Sequence, residues 1–162
     1  EQAETLAELK SIKQELSSEN YIQEQTAGDN KEEEKLPPMK FKSSEGYEIL
    51  VGRNSRQNDE LTQRIANNQD LWLHARDIPG SHVIIRNHTG KEIPETTLKE
   101  AVQIAAFYSK GRGSSKVPVD YTFVKYVNKF KGAKPGLVNY KQESTLYATP
   151  QEETIKELKV SK

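Results

Sequence analysis

The sequence contains no cysteine among its 162 residues, which excludes disulfide bonds and metal sites built on thiolates. It has one Trp and one Met, and only 33% of its residues are hydrophobic. No apolar run approaches the roughly 18 residues of a membrane-spanning helix, and no signal-peptide pattern is present, so we expect no membrane insertion. Charged residues make up 30% of the chain, which indicates that part of it has no hydrophobic core of its own.

The formal net charge of zero conceals a difference between two parts of the chain. Residues 1–39 hold 4 Lys and Arg residues against 10 Asp and Glu residues, whereas residues 40–162 hold 20 against 14. A basic part that follows an acidic one favours a domain with an anionic partner behind a solvated linker.

Residues 1–25 are predicted to form a helix, because apolar residues recur at three- and four-residue spacing, at Leu6, Leu9, Ile12 and Leu16. So narrow a stripe is typical either of one strand of a coiled-coil arm or of an amphipathic helix end that frays. Residues 26–38 are rich in Glu and end in two prolines, which predicts a disordered acidic linker. Since the chain opens inside the predicted helix, we expect it to be a piece of a longer protein.

Residues 39–150 are predicted to form an α+β domain, a mainly antiparallel sheet with two packed helices, because strands outnumber helices and do not alternate with them regularly. Alternating apolar residues predict strands at Met39–Ser43, Tyr47–Val51, Leu71–Ala75, His82–Arg86 and Val117–Phe123. Near the end of the domain, Leu137–Tyr140 and Thr145–Thr149 are predicted to pair as a closing hairpin. The charged tail, residues 151–162, is predicted to be a short helix or disordered.

Capping residues set the expected helix boundaries. The first helix is predicted to begin at Asn58, a good N-cap, with Asp59 and Glu60 in its first turn. The second is predicted after Pro94, where Thr97 and Glu100 have the spacing of a capping box. Its apolar stripe is expected to consist of Leu98, Ala101, Val102, Ala105 and Tyr108. The helix is expected to end at Gly111.

The most informative segment is residues 70–82, Asp-Leu-Trp-Leu-His-Ala-Arg-Asp-Ile-Pro-Gly-Ser-His, which holds the only Trp and two of the three His. It predicts an exposed turn between two buried strands, and five of its residues are expected to shape that turn: Asp70, Asp77, Pro79, Gly80 and Ser81. Its polar group of His74, Asp77 and His82 is open to three interpretations, which are hydrogen bonding to the backbone, contact with RNA, and acid–base or metal chemistry. The spacing matches no specific zinc motif.

Trp72 alternates with Leu71 and Leu73, so it is expected on the opposite strand face from both, together with His74. That face is either packed beneath another element or partly open as a stacking platform for a base.

A second candidate site lies in residues 110–141, which carry eight Lys and Arg residues against one acid, Asp120, with aromatic residues between them. The loop Lys129–Gly136 is cationic and contains no acid, and its glycines let backbone N–H groups approach a phosphate. A smaller loop, Gly111–Lys116, has similar chemistry but no Walker motif. We expect these cations to gather on one side of the fold and to bind nucleic acid or another polyanion; the alternative is an ordinary solvated surface.

Several motifs together resemble a known family. They are Gly52-Arg53-Asn54, Gln57-Asn58-Asp59, the run 70–82, Ala105-Ala106-Phe107-Tyr108-Ser109, Val119-Asp120-Tyr121-Thr122 and Lys134-Pro135-Gly136-Leu137-Val138. In this order, over about residues 39–149, they resemble the C-terminal NFACT-R domain of the fibronectin-binding protein A / RqcH / NEMF family, in a bacterial, streptococcal-type form. The preceding helix resembles the end of that family's coiled-coil arm.

The resemblance implies an RNA-binding domain of a cytoplasmic ribosome quality control factor. Such factors bind a stalled large ribosomal subunit and tRNA and support tailing of the nascent chain with alanine. The partners expected from it are therefore the large subunit, tRNA and the rest of the parent chain, with no catalysis, metal or cofactor in this domain. The same family name makes a surface adhesin for fibronectin or fibrinogen the alternative, a virulence factor exposed without a signal peptide. An enzyme that uses His74, Asp77 and His82 is a third hypothesis.

The residues expected to contact or shape an RNA site are Arg53, Arg56, Asn58, Asp59, Trp72, His74, Arg76, His82, Lys110, Arg112, Lys125, Lys129, Lys131 and Lys134.

Overall fold

A computed structural model of the chain describes residues 36–160. The predicted helix at residues 1–25 and nearly all of the predicted linker lie outside these residues. Within residues 36–160, every helix is too short or too polar to cross a membrane.

Strands and helices follow one another from residue 39 to residue 158. The strands are β1 Met39–Lys42, β2 Glu48–Val51, β3 Leu71–Ala75, β4 Val83–Ile85, β5 Val117–Phe123, β6 Val127–Asn128, β7 Asn139–Tyr140 and β8 Ser144–Ala148. The helices are α1 Ser55–Glu60, a π-helix at Leu61–Ile65, α2 Glu95–Phe107, a 3₁₀-helix at Val124–Tyr126 and α3 Glu152–Leu158.

Six strands form one sheet in the order β1-β2-β4-β3-β5-β8, and every neighbouring pair is antiparallel. The remaining two, β6 and β7, pair with each other in a separate small ribbon. The α+β class with an antiparallel sheet is therefore confirmed, with three α-helices in the described residues where two were expected.

The alternation of side chains along each strand divides the sheet into two faces. Leu73 and Ala75 of β3 point to the first face, where α2 and α3 pack with their apolar sides. Trp72 points to the second face, where Leu61 of the π-helix and Val127 of the ribbon cover it. Both faces are covered, so polar side chains on the second face need partners inside the protein.

The predicted start of the first helix is wrong. The helix begins at Ser55, four residues before the expected first turn, and Asn54 is its N-cap, with Oδ1 accepting a hydrogen bond from the Gln57 backbone N–H at 2.9 Å. Asn58 instead lies buried inside α1 and accepts a hydrogen bond from the His82 backbone N–H at 3.1 Å. Two Asn residues at four-residue spacing both suit a cap, and tertiary packing decides between them.

The predicted capping box of the second helix is also wrong. No side chain of α2 caps its own N-terminus. The cap comes from the β1–β2 hairpin, because Glu45 Oε1 accepts from the Thr97 backbone N–H at 3.1 Å and from its hydroxyl at 2.7 Å. Glu100 in turn accepts from the Ser44 backbone N–H at 2.9 Å. The helix ends at Phe107, before the expected Gly111.

The predicted closing hairpin does not form. Asn139–Tyr140 pairs with β6, whereas Ser144–Ala148 pairs with β5 and becomes an edge of the large sheet. The tail beyond residue 150 contains α3, whose Ile155 and Leu158 are buried in the core of the first face.

Asp70 lies at the opposite end of β3 from the Pro79-Gly80 turn, so the prediction that it shapes that turn is wrong. Its carboxylate is 1% exposed and accepts from the backbone N–H groups of Asn67 at 2.9 Å and Asn87 at 2.7 Å. The Arg86 guanidinium Nε lies 2.8 Å from the same carboxylate. Asp70 thereby joins the entry to β3 to the exit from β4.

The variant Asp70→Ala should lower the free energy of unfolding by about 3 kcal/mol, because it leaves two backbone N–H groups and a partly buried guanidinium without their acceptor. Urea denaturation measures the loss. The matched control is Asp77→Asn, at an exposed position with φ 60°, where Asn fits the backbone and the change should stay within about 0.5 kcal/mol. Equal stability of the two variants would contradict the assigned role of Asp70.

Candidate nucleic-acid interface

One end of the large sheet collects the connections that carry most of the candidate residues. Val51 pairs with Val83, and Ala75 pairs with Val119, so the exits from β2 and β3 lie beside the entries to β4 and β5. We call this the basic end of the sheet. It receives the start of α1, the 76–82 turn and the loop that follows α2.

The 76–82 turn is fastened to the loop after α2 by backbone hydrogen bonds. The Ser81 N–H donates to the Tyr108 carbonyl at 3.0 Å, and the Lys110 N–H donates to the Pro79 carbonyl at 2.9 Å. A β-carbon on Gly80 would lie 3.0 Å from the Ser109 side chain, so the close approach favours glycine there. Pro79, Gly80 and Ser81 therefore do shape the turn, as predicted.

Two arginines act on Tyr108 at this junction. The Arg112 guanidinium lies 3.9 Å from the centre of the Phe107 ring, and its Nε donates to the Phe107 carbonyl at 3.0 Å. Burial raises the pKa of Tyr108, while the positive charges of Arg112 and Arg53 act to lower it. Arg53 and Arg112, distant in sequence, thus influence the same side chain.

The cationic loop 129–136 docks onto α1. The Gly136 N–H donates to Asp59 Oδ1 at 2.8 Å, and the Gly136 carbonyl lies 3.0 Å from His82 Nε2. Gly136 has φ +84°, and a β-carbon there would come within 3.3 Å of Ser55, so both conformation and space favour glycine. This docking brings the exposed Lys131 and Lys134 to the basic end.

Lys129 differs from its two neighbours. Its Nζ pairs with Asp59 Oδ2 at 3.1 Å and donates to the carbonyls of Leu137, at 3.3 Å, and Lys134. Its side chain is only 23% exposed. The loop itself contains no acid, but α1 supplies one from 70 residues away, so the expectation that the cations of the loop have no competing acid is wrong for Lys129. Asp59 and Lys129 form a clamp that holds the loop in place.

Trp72 is 1% exposed, so the buried interpretation holds and the open stacking platform is wrong. Its ring lies parallel to that of His74, at an interplanar angle of 4° with centroids 5.8 Å apart, and it contacts Tyr140. Asn58 is buried as well. Neither Trp72 nor Asn58 presents its side chain to a ligand at the surface.

His74 and His82 come together on the second face, with ring centroids 5.6 Å apart. Because a carbonyl only accepts hydrogen bonds, we assign the proton to His82 Nε2, which donates to Gly136, while Nδ1 accepts from the Thr62 hydroxyl at 2.8 Å. Burial, with His74 and Lys129 adding to it, lowers the pKa of His82 to about 3. Burial also lowers the pKa of His74. His82 is therefore a neutral structural residue that bonds the backbone of the cationic loop.

The remaining polar group of this face centres on Asp120. Its carboxylate accepts from the Tyr140 hydroxyl and from the Thr145 hydroxyl, both at 2.6 Å, and Arg76 lies 3.8 Å away. Burial raises the pKa of Tyr140, and the bond to Asp120 adds to the rise. The exposed Asp77 lies in the turn. Across residues 36–160, no cluster of His, Asp and Glu has an arrangement that could hold a metal ion.

The sequence analysis did not single out Thr62 or Thr145, and it noted Tyr140 only as one of the aromatic residues of the basic stretch. Each completes a hydrogen bond of His82 or Asp120. The sequence offered one usable signal for the partners of Asp120: a lone acid in a basic stretch indicates that its carboxylate has a specific hydrogen-bond partner.

Not all of the predicted cations reach the basic end. Eight cations lie there, on or beside the connections of that end: Arg53, Arg56, Arg76, Lys110, Arg112, Lys116, Lys131 and Lys134. Lys125 follows β5 at the other end of the sheet, where its backbone N–H donates to the Asn68 carbonyl at 3.3 Å, and Lys141 joins it there through a bond from its N–H to the Tyr126 carbonyl. The single patch expected from the sequence is therefore divided between two ends.

The family model described as the NFACT protein RNA binding domain matches residues 38–142. The chain is similar to the Rqc2 homolog RqcH of Bacillus subtilis (strain 168), with 44% identity over 156 residues that cover 95% of this chain and 27% of that protein. It is also similar to the ribosome quality control complex subunit NEMF homolog of Drosophila melanogaster, with 44% identity over 69 residues that cover 43% of this chain and 7% of that protein.

A solved structure shares the fold. It is the C-terminal part of the fibronectin/fibrinogen-binding protein from Streptococcus suis, with a TM-score of 0.73 and 41% identity, covering 78% of this chain and 51% of that chain. The chain spans about a quarter of the length of its bacterial curated relatives.

The lowered pKa of His82 predicts that acid weakens the fold. Below the ordinary His pKa of 6.5, the unfolded chain binds a proton that folded His82 does not take up until the pH nears about 3. The free energy of unfolding should therefore fall as the pH is lowered from 7.5 to 5.5, by about 1 kcal/mol from this residue. Urea denaturation at the two pH values measures the fall, and His82→Gln should reduce it. An NMR titration that finds the His82 imidazole protonated in the folded chain at pH 5.5 would contradict the assignment.

Proposed function

The chain belongs to the family of NFACT protein RNA-binding domains, and from this premise we propose that it is the RNA-binding module of a ribosome quality control factor and contacts RNA phosphates at the basic end of its sheet. The relative in Drosophila is named as a ribosome quality control complex subunit, and the bacterial relatives are named as homologs of Rqc2. Their names support the association with ribosomes, and the family description supports the binding of RNA.

The convergence of cations at the basic end supports the proposal most directly. Three connections, at the start of α1, after α2 and at the tip of the β6–β7 ribbon, each bring at least two Lys or Arg residues to it. Fixed cations on separate loops can match the spacing of phosphates on a folded RNA, which proteins recognise largely through backbone and shape. The clamp of Asp59 and Lys129 keeps Lys131 and Lys134 in that arrangement without ordering the loop at the moment of binding.

The finer proposal concerns the whole factor. A module of this kind would help its parent chain bind the large ribosomal subunit and tRNA in the cytoplasm and so support alanine tailing of a stalled nascent chain. Because this chain spans about a quarter of its bacterial relatives, we assign it RNA contact and no catalytic step. The buried, hydrogen-bonded state of His82 supports a structural role over an enzymatic one.

The adhesin alternative rests on the name of the streptococcal structure. Nothing in residues 36–160 adds a separate observation for a matrix-protein or virulence role. It is therefore an outcome of the test below.

The double variant Lys131→Glu/Lys134→Glu should weaken binding to a tRNA about tenfold or more, because two phosphate contacts are replaced by repulsion. The slope of log affinity against log salt should become shallower by about 0.7–0.9 for each lost contact. Fluorescence anisotropy over a series of salt concentrations measures both quantities.

The matched control is Lys99→Glu/Lys156→Glu, which changes the charge equally on α2 and α3, away from the basic end. It should bind tRNA nearly as well as the natural chain. Equal losses in the two double variants, or a binding that does not depend on salt, would overturn the proposed function. Saturable binding of fibronectin that survives the Lys131/Lys134 reversal, without binding of tRNA, would favour the adhesin.

A further inference from the structure

An aromatic and basic cluster lies at the end of the sheet opposite the basic end. Phe123, the last residue of β5, is 42% exposed, and its ring centroid lies 6.5 Å from that of Tyr126 at an angle of 62°. The Lys125 ammonium lies 5.7 Å from the Phe123 centroid and 5.3 Å from the Tyr126 centroid. We call Phe123, Lys125 and Tyr126 the far-end cluster.

The backbone beneath the far-end cluster is firmly held. Val124, which lies between Phe123 and Lys125 in the sequence, is buried, and its N–H donates to the Asp70 carbonyl at 2.9 Å. The Lys125 N–H donates to the Asn68 carbonyl at 3.3 Å. Phe123 therefore keeps its ring exposed at the ordered junction between β5 and the 3₁₀-helix, which limits the conformational entropy that a ligand would have to remove.

A second lysine is tied to the far-end cluster through its backbone. Lys141 is exposed, and its N–H donates to the Tyr126 carbonyl at 3.2 Å. Two aromatic rings with the Lys125 ammonium beside them, and an exposed Lys141 joined to Tyr126 through the backbone, match the chemistry of an unpaired base with its phosphates. Single-stranded nucleic acids bind by stacking on aromatic rings and by pairing of phosphates with cations. A base inside a duplex offers no free face to such a ring. An acidic protein segment could pair with the cations but would offer no flat ring to stack on Phe123.

The far-end cluster is separate from the basic end. The seven residues of β5 run from one end to the other, and at the usual rise they span about 20 Å. That length exceeds the Debye length of about 8 Å at physiological salt, so the two groups of cations act on different phosphates. It also equals about six steps of a stacked nucleic acid strand.

We propose that the far-end cluster is a second RNA contact, which takes an unpaired base by stacking on Phe123 while Lys125 and Lys141 bind the adjacent phosphates. This site rests on the proposed function, because it extends the RNA contact of the basic end. The RNA that the domain prefers is then a folded RNA with a single-stranded segment beside the helix, and the two ends of the sheet bind these two parts.

The test compares two RNA hairpins of the same stem, one of which carries a single-stranded adenosine extension with a 2-aminopurine. The natural chain should bind the extended hairpin more tightly and quench the 2-aminopurine on stacking. Phe123→Leu keeps an apolar side chain without a π face, so it should weaken binding of the extended hairpin about tenfold, abolish the quenching and leave the blunt hairpin unaffected. Phe123→Trp should restore both.

The matched control is Tyr147→Ala, which removes an aromatic side chain that is 64% exposed on β8, beside Pro118. It should change binding of neither hairpin, and circular dichroism verifies the fold of each variant.

If the natural chain binds both hairpins equally and Phe123→Leu affects neither, the far-end cluster is no base site, although the proposed function stands. Loss of ribosome co-sedimentation in Phe123→Leu with unchanged binding of the extended hairpin would assign the cluster to a protein and overturn the proposal. Binding of neither hairpin by the natural chain would overturn the proposed function itself.

Discussion

The arrangement of the candidate interface depends on the Asp59 carboxylate. It accepts a hydrogen bond from the Gly136 N–H and binds the Lys129 ammonium, so a loop that carries like charges is held against α1 by a charge of the opposite sign. Without this anchor, the repulsion among neighbouring lysines would favour an extended, solvated loop. One partly buried anion thus converts two of the surrounding cations, Lys131 and Lys134, into a fixed surface.

The second face of the sheet also holds the cationic loop in place. It contains His82 and Asp120, polar groups that are costly to bury unless each finds a partner. Both do: His82 bonds Thr62 and the Gly136 carbonyl, and Asp120 bonds Tyr140 and Thr145. The bonds to Gly136 and Tyr140 tie the β6–β7 ribbon and its loop to the sheet more specifically than apolar packing would. Residues 70–82, whose two histidines suggest an active site in the sequence, therefore support the candidate interface instead.

Periodic apolar patterns predicted the parts of the fold that rest on local physics. The strands at residues 71–75 and 117–123 and the buried stripe of α2 were predicted in place, because a side chain in a strand or helix takes its face from its position alone. The predicted cap of α2 was wrong because its partner, Glu45, comes from a hairpin far away in the sequence. The closing hairpin was wrong because β8 finds its neighbour in β5, a pairing that no turn signal announces.

The sequence by itself determined the α+β class, the core faces of the central strands, the supply of cations and the family, because these follow from composition, periodicity and ordered motifs. The tertiary structure alone decided which cations share a surface. It buried Trp72, tied Lys129 to Asp59 and divided the basic stretch between two ends of the sheet. The physical reason is that a charge acts over distances in space, within a Debye length or a hydrogen bond, and the fold sets those distances between residues that the chain keeps far apart.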